Sequence, residues 1–274
     1  MPESVPGSVP EAKPSRIPQF IKPLWSAPSG IAAASTTRVG GVSLAPFASF
    51  NLGTHVGDDG EHVKANRRLL IEQLALPAAP LWLEQVHGSE AHYVDSAVKA
   101  TANNSTGENT TAPVADAAWT DQRDVVLVVM TADCLPVLLA SGCGTVVAAI
   151  HGGWRGLASG ILQKTVAALP VPAAELVAWM GPAIGPLNFE VGNEVRETFT
   201  NQNTKFSDCF KSSASDKNKC FADIFSLAEV CLNEAGVTTV SSDRQCTVSD
   251  EDLFFSHRRD NGNSGRMASL IWLT

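Results

Sequence analysis

The sequence has little positive charge, and that shortage limits its partners. Its 274 residues include 20 Lys and Arg against 28 Asp and Glu, which gives a formal net charge of −8. An acidic chain is poorly suited to broad electrostatic binding of nucleic acid or of an anionic membrane. We therefore expect neither partner, and an anionic substrate would need a local basic pocket.

The sequence also lacks a CxxC pair. Its six cysteines are Cys134, Cys143, Cys209, Cys220, Cys231 and Cys246. This scattered spacing differs from the dense cysteine framework of a small secreted domain. We interpret the cysteines mainly as reduced thiols of a cytoplasmic protein.

No apolar run is long enough to span a bilayer, since the longest, VVLVVM and TVVAAI, have the length of a strand. The N-terminus also lacks the basic start and apolar core of a signal peptide. Residues 1–19 instead contain several prolines, which predicts a disordered Pro-rich tail. We assign residues 20–274 to a single folded domain, because neither an internal repeat nor a clear linker interrupts them.

Three segments have the spaced apolar positions of helices. Residues 61–77 follow a capping residue, Asp58 or Asp59, and end before a proline. Residues 157–169 form a second predicted helix. Residues 221–236 form a third, which is amphipathic and closed by a glycine.

Strands are predicted between and after these helices. Residues 81–88, LWLEQVHG, have the pattern of one strand. Residues 124–156 are the most apolar part of the chain and predict three short buried strands. Residues 97–113 are rich in Asn and Thr, so we expect a surface loop there.

Two residues of the apolar segment can share one site. If residues 135–140 and 145–150 form a hairpin, Cys134 and His151 lie opposite one another on the same face. Such a thiolate and imidazole could bind one metal ion, or could act as a nucleophile and its base. A buried cysteine is also often only a small apolar side chain.

His87 would complete a three-ligand set with Cys134 and His151. Zinc accepts mixtures of nitrogen and sulfur ligands, and catalytic zinc sites keep a fourth position open. Copper also accepts this donor set. The sequence therefore predicts a site for zinc or copper, with catalytic roles for all three residues.

Other motifs contain candidate ligand-binding residues. HGGWRG carries Arg155 directly before a helix, where glycines and free backbone amides suit phosphate. TTRVGG carries Arg38 and SFNLG carries Asn51, which we consider as catalytic and substrate-binding candidates. The basic segment FFSHRRDNGNSGR is interpreted as a solvated loop, above all for Arg259.

Seven motifs in this order resemble one known family. They are STTRVGGVS, SFNLGTHVGDD, EQVHG, TADCLPVLL, HGGWRG, GPAIGPLNFEVG and FFSHRRDNGNSGRMASLIWL. Together they resemble the laccase-domain proteins, also called the multicopper polyphenol oxidase or purine nucleoside phosphorylase family. Agreement of several blocks across residues 20–274 is more specific than any single motif.

The resemblance implies a fold, a metal and a reaction. The fold would be a single α+β domain with mixed sheets in four layers, α/β/β/α. Zinc would be held by His87, Cys134 and His151. The reaction would be phosphorolysis of adenosine, and of inosine, guanosine and methylthioadenosine, accompanied by adenosine deamination. A small-molecule nucleoside and phosphate would then be the partners, with Arg38, Asn51 and Arg155 holding phosphate or ribose.

Three other functions remain open from the sequence. Relatives are linked to peptidoglycan editing, so a cysteine or zinc amidohydrolase acting on cell-wall precursor peptides is the main alternative. A copper polyphenol oxidase is disfavoured, because the chain has no HxH pair for a multicopper cluster. A binding protein with a structural metal would need a fourth protein ligand. The oligomeric state is not predicted.

Overall fold

The computed structural model describes residues 17–95 and 112–274. Most of the predicted N-terminal tail and of the predicted loop at 97–113 lies outside these ranges. Every helix within them is too short or too polar to cross a membrane.

Thirteen strands are found in the described residues. They are β1 (Phe20–Ile21), β2 (Ile31–Thr36), β3 (Ala91–Tyr93), β4 (Ala117–Thr120), β5 (Leu127–Thr131), β6 (Leu135–Ser141), β7 (Val147–Gly152), β8 (Leu176–Met180), β9 (Glu190–Gly192), β10 (Phe210–Ser212), β11 (Lys219–Ala222), β12 (Thr239–Ser242) and β13 (Met267–Leu273). The helices in the same residues are α1 (Gly60–Gln73), α2 (Trp154–Ala158), α3 (Ile161–Ala168), α4 (Asn193–Thr200) and α5 (Ile224–Glu234), with 3₁₀ turns at Ala173–Glu175 and Thr204–Cys209.

The strands form three sheets. One has the order β1-β2-β13-β5 and is antiparallel throughout. The second has the order β12-β8-β6-β7-β4-β3 and is mixed, because its two outer pairs, β12–β8 and β3–β4, are parallel. A small antiparallel sheet, β10-β11-β9, completes the set.

Alternation along β5 separates two hydrophobic cores. Val129 points toward the six-stranded sheet and shares a core with Leu138 of β6. Its neighbour Val128 points to the other face and shares a core with Leu70 of α1. Strands buried on both faces read as continuous apolar runs, which explains the VVLVVM pattern.

A third core covers the outer face of the six-stranded sheet. Leu139 of β6 belongs to this core together with Ile161 of α3 and Phe225 of α5. The order is therefore helix α1, first sheet, second sheet, and then the helices α3 to α5. This α+β arrangement confirms the predicted α/β/β/α layers in a single domain.

Several predicted elements agree with the structure and two do not. The Asp59 side chain caps helix α1, and the three predicted strands of 124–156 are confirmed. The predicted strand at 81–88 is wrong, because only isolated bridges form there and the amides of 86–88 bond to a side-chain carboxylate. The predicted helix at 157–169 is divided, because Gly160 takes a left-handed backbone with φ of 81°.

Candidate metal centre

The hairpin that carries Cys134 and His151 is formed by β6 and β7. Its register pairs Leu135 with Gly152 and Pro136 with His151. The prediction that Cys134 and His151 lie directly opposite is therefore wrong by two residues. The two side chains nevertheless share a face, because a shift of two preserves the alternation of a strand.

The structure brings the three predicted ligands together. The Cys134 Sγ atom lies 3.8 Å from His87 Nε2. The rings of His87 and His151 meet edge to face with centroids 4.8 Å apart. One ligating atom from each of the three residues lies within 4.8 Å of the others, so the group could hold a metal ion.

Gly153 leaves space for that ion. A Cβ atom at this position would lie 3.0 Å from His87 Cδ2 and 3.3 Å from Cys134 Sγ. Two imidazole nitrogens and a thiolate form a donor set that zinc accepts. Among the described residues, no fourth His, Cys, Asp or Glu joins the group, which is the arrangement of an open rather than a closed site.

Unusual backbone conformations place two of the ligands. His87 itself has φ of 59°, and Asp133, directly before Cys134, has φ of 89°. The Asp133 carboxylate accepts hydrogen bonds from Thr247 Oγ1 and from the backbone amide of Arg258, each at 2.6 Å. Left-handed backbone is unfavourable for residues other than glycine and is often found at functional sites.

Asp116 is a site residue that the sequence did not predict. This buried carboxylate accepts a 2.8 Å hydrogen bond from Nδ1 of His151. Metal-binding histidines commonly donate their second ring N–H to a carboxylate. The sequence signal that could have identified Asp116 is a single acidic residue in the apolar stretch 114–119. Its partner, His151, lies 35 residues further along the chain.

The Cys134 thiol and the His151 ring each favour the charged form of the other. Burial disfavours the thiolate, yet the His151 ring lowers the pKa of Cys134 to about 6. Burial also disfavours the imidazolium, yet the Cys134 thiolate, supported by Asp116, raises the pKa of His151 to about 9. At neutral pH the metal-free pair is therefore charged on both sides.

This charge state predicts how metal affinity depends on pH. Between about pH 6 and about pH 9, a metal must displace one proton from His151, so affinity should rise about tenfold per pH unit. Below about pH 6 the slope should steepen, because Cys134 must also lose a proton. Zinc competition against a chelator across this range measures the slope. A zinc affinity that does not change with pH would contradict a charged Cys134–His151 pair.

The group of His87, Cys134 and His151 opens into a cavity of about 1030 Å³. The basic and imidazole side chains on its wall are His55, Arg67, His87, His151, Arg155, His257, Arg258 and Arg266. Glu84 and Asp133 are the carboxylates on the wall. A chain with an overall negative charge thus has the local basic pocket that an anionic substrate requires.

Of the three predicted phosphate- or ribose-binding residues, Arg155 lines the cavity, whereas Arg38 and Asn51 do not. Arg155 lines the cavity, with its guanidinium 4.5 Å from the centre of the Trp154 ring. Arg38 does not line the cavity and donates hydrogen bonds to the carbonyls of Ala48 and Glu251. Asn51 is fully buried and also lies outside the cavity wall.

Asn51 instead supports Arg266, a cavity residue from the basic segment that was interpreted as a solvated loop. Its Oδ1 accepts hydrogen bonds from the backbone amides of Arg266 and Gly53. The side chain of Arg266 lies on the cavity wall. Asn51 therefore fixes the chain that presents this arginine.

The solvated interpretation of Arg259 is wrong. Its guanidinium is largely buried and is paired with Asp260. It also donates hydrogen bonds to the carbonyls of Thr247 and Phe254. Arg259 therefore holds the basic segment together instead of facing water.

Two half-buried arginines and a histidine on the cavity wall lie close enough to interact electrostatically. Burial lowers the pKa of Arg67 to about 10, and the charges of Arg266 and Arg67 add to burial in lowering the pKa of His55. Within the described part of the chain, no carboxylate forms an ion pair with Arg67 or Arg266. A half-buried arginine without an ion-pair partner is stabilised by an anion, which makes this part of the wall suited to one.

Fold and site together define a four-layer α+β protein with a His–Cys–His group, able to hold a metal, in a basic cavity. Comparison with known sequences specifies the family. Residues 32–274 match the model described as multi-copper polyphenol oxidoreductase laccase, and the chain belongs to that family, which confirms the resemblance.

Similar proteins cover almost the whole chain. The purine nucleoside phosphorylase YfiH of Escherichia coli (strain K12) is 45% identical over 255 residues, which is 93% of this chain and 99% of the relative. The crystal structure of Neisseria meningitidis protein NMB0706 has a TM-score of 0.84 and 42% identity, covering 93% of this chain and 98% of the other. The structure of YlmD from Geobacillus stearothermophilus has a TM-score of 0.84 and 32% identity, covering 95% and 99%.

Proposed function

We propose that this protein is a zinc-dependent purine nucleoside phosphorylase acting on adenosine, and also on inosine, guanosine and methylthioadenosine. The observation that carries the proposal is a cavity with the His–Cys–His group and with two arginines, Arg67 and Arg266, that form no ion pair within the described residues. A cavity of about 1030 Å³ has room for a nucleoside together with phosphate. The similarity to relatives named purine nucleoside phosphorylases supports the same reaction.

The reaction needs an anion held in place beside the sugar. A phosphate oxygen forms a bond to C1′ of the ribose as the C1′–N9 bond breaks, and the electron pair leaves with the purine, which takes a proton. Arg67 and Arg266 would hold the phosphate, and Arg155 would contribute positive charge from the cavity wall. Fixed cations in a partly dehydrated cavity stabilise charge that develops in the transition state.

The cluster would bind zinc through His87, Cys134 and His151. Zinc bound there would supply Lewis acidity next to the substrate. The residues of the chain hold the site in position: Asp116 orients the His151 ring and Asp133 fixes the turn before Cys134. Because all six cysteines are free thiols, we place the protein in the cytoplasm.

Phosphate dependence tests the reaction directly. Purified protein given adenosine should release adenine and ribose 1-phosphate in proportion to added inorganic phosphate. Chromatography of the products in phosphate-containing and phosphate-free buffer measures this. Adenine release at the same rate without phosphate would contradict phosphorolysis and point to hydrolysis.

Adenosine deamination is a second reaction that we assign to the same cavity. Water would add to C6 of the purine and the 6-amino group would leave as ammonia, so inosine would form without any need for phosphate. Inosine formation that persists in phosphate-free buffer and disappears on metal removal would support it. Adenosine left unchanged in that buffer would contradict it.

The contacts of His151 with Cys134 and with Asp116 favour one alternative function. A thiolate, an imidazole and a carboxylate in contact form the order of nucleophile, base and orienting group found in cysteine hydrolases. Such a site could cleave an amide of a cell-wall precursor peptide. Incubation of metal-free protein with nucleotide-linked muropeptides tests this alternative, and intact peptides would count against it.

A further inference from the structure

One buried carboxylate contacts both histidines of the cluster. Asp116 accepts hydrogen bonds from the backbone amides of Val86, His87 and Gly88 at 3.2, 2.9 and 2.6 Å, and from His151 Nδ1 at 2.8 Å. We propose that Asp116 is a positioning residue that sets the metal affinity by holding both histidine ligands at once. This inference rests on the proposed metal site, but not on the identity of the substrate.

The loop that carries His87 forms an anion-binding nest. Successive backbone N–H groups around a left-handed residue create a concavity that binds an anion, and here the anion is the Asp116 carboxylate. His87 is exposed and belongs to neither a helix nor a strand. The contact with Asp116 therefore holds the His87 backbone directly against the second sheet, while hydrogen bonds of Glu84 and Gln85 hold the preceding residues.

The same carboxylate determines which nitrogen of His151 faces the metal. Because Nδ1 donates to Asp116, Nε2 is left to point toward Cys134. The His151 backbone amide also donates to the Asp116 carbonyl at 2.7 Å. Asp116 is held in turn by its position directly before β4, where Ala117 pairs with Ile150 of β7.

Asp116→Asn tests the proposal with little change in side-chain size. Oδ1 of Asp116 accepts from the His87 amide and from His151, and Oδ2 accepts from the amides of Val86 and Gly88. An amide has one acceptor oxygen, so its NH₂ group must face the donors on one of these two sides. We expect zinc affinity, measured by chelator competition, to fall about 10–100-fold. Titration with Co²⁺ should also show a weakened thiolate-to-cobalt absorption band from Cys134, a signal that a purely structural role would not change.

Asp58→Asn is the matched control. Asp58 likewise accepts hydrogen bonds from three neighbours, Ser43, Asn51 and the Asp59 amide, and it does not line the cavity. Its variant should keep the wild-type zinc affinity even if its melting temperature falls. An Asp116→Asn protein that is folded and binds zinc as tightly as the wild type would overturn the proposal.

A measurement on the wild-type protein keeps the proposal testable if the variant does not fold. Nitrogen NMR of the zinc-loaded, ¹⁵N-histidine-labelled chain should show His151 coordinating through Nε2 with a protonated Nδ1. Coordination through Nδ1 would overturn the role of Asp116. Adenosine turnover is a separate readout, so failure of the phosphorylase proposal leaves either result intact.

Discussion

Replacement of Cys134 by alanine is expected to abolish zinc binding and to lower phosphate-dependent adenine release by roughly 10³-fold or more. Loss of an outer-shell partner alone costs about 10–100-fold in affinity or activity, and loss of a direct ligand should cost more. The variant would leave His87 and His151 as two neutral ligands without the thiolate that attracts the cation. Metal analysis and product chromatography of the same preparation measure both effects.

Cys143→Ala is the control for that experiment. Cys143 lies at the turn of the same hairpin, is exposed, and its thiol forms hydrogen bonds with the hydroxyls of Ser141 and Thr145. Its variant should bind zinc and turn over adenosine like the wild type. A Cys134→Ala protein that keeps its zinc but loses turnover would instead identify Cys134 as a nucleophile.

The register of the hairpin shows how far the pattern of residues could lead. The hairpin predicted from residues 135–140 and 145–150 put Cys134 and His151 on the same face, and the structure brings the two side chains together. The offset of two residues depends on the turn of the hairpin. There the Ser141 hydroxyl accepts hydrogen bonds from the amides of Thr145 and Val146, and Gly144 takes φ of 73°. Apolar periodicity does not encode such a detail, because a slip of two leaves the pattern unchanged.

The third ligand and its support were less accessible from the sequence. The family resemblance pointed to His87, but the strand predicted around it does not form, since its amides turn to Asp116. A contact of this kind joins segments about 30 residues apart in the chain. It has no period and no fixed spacing, so only the folded structure reveals it.

Motif prominence was also a poor guide to which polar residues reach the cavity. Arg38 lies in the motif TTRVGG and Asn51 in SFNLG, yet both satisfy backbone groups outside the cavity wall. Arg67 belongs to an ordinary amphipathic helix, α1, and nothing in that pattern distinguishes it from Arg68. The difference is rotation about the helix axis, which places Arg67 on the cavity wall and leaves Arg68 exposed.

That difference gives the second prediction with a large effect. Arg67→Gln should raise the phosphate concentration needed for half-maximal turnover by about 10–100-fold, the range for losing a charged hydrogen bond. The Arg67 guanidinium stacks 3.7 Å from the centre of the Trp82 ring and donates through Nε and Nη2 to the Leu52 carbonyl. Its remaining Nη1 group is therefore held in a fixed orientation for an anion. Initial rates at varied phosphate and saturating adenosine measure the change.

Arg68→Gln separates this effect from a general change in charge. It removes the same charge from the same helix, one residue away and outside the cavity wall, so its phosphate dependence should match the wild type. The phosphate dependence of Arg67→Lys should lie between those of Arg67→Gln and the wild type. Lysine keeps the charge but loses the planar guanidinium that stacks on Trp82 and donates two hydrogen bonds to Leu52. If Arg67→Gln weakened adenosine binding while leaving the phosphate dependence unchanged, the anion would have to bind elsewhere on the wall, with Arg155 as the next candidate.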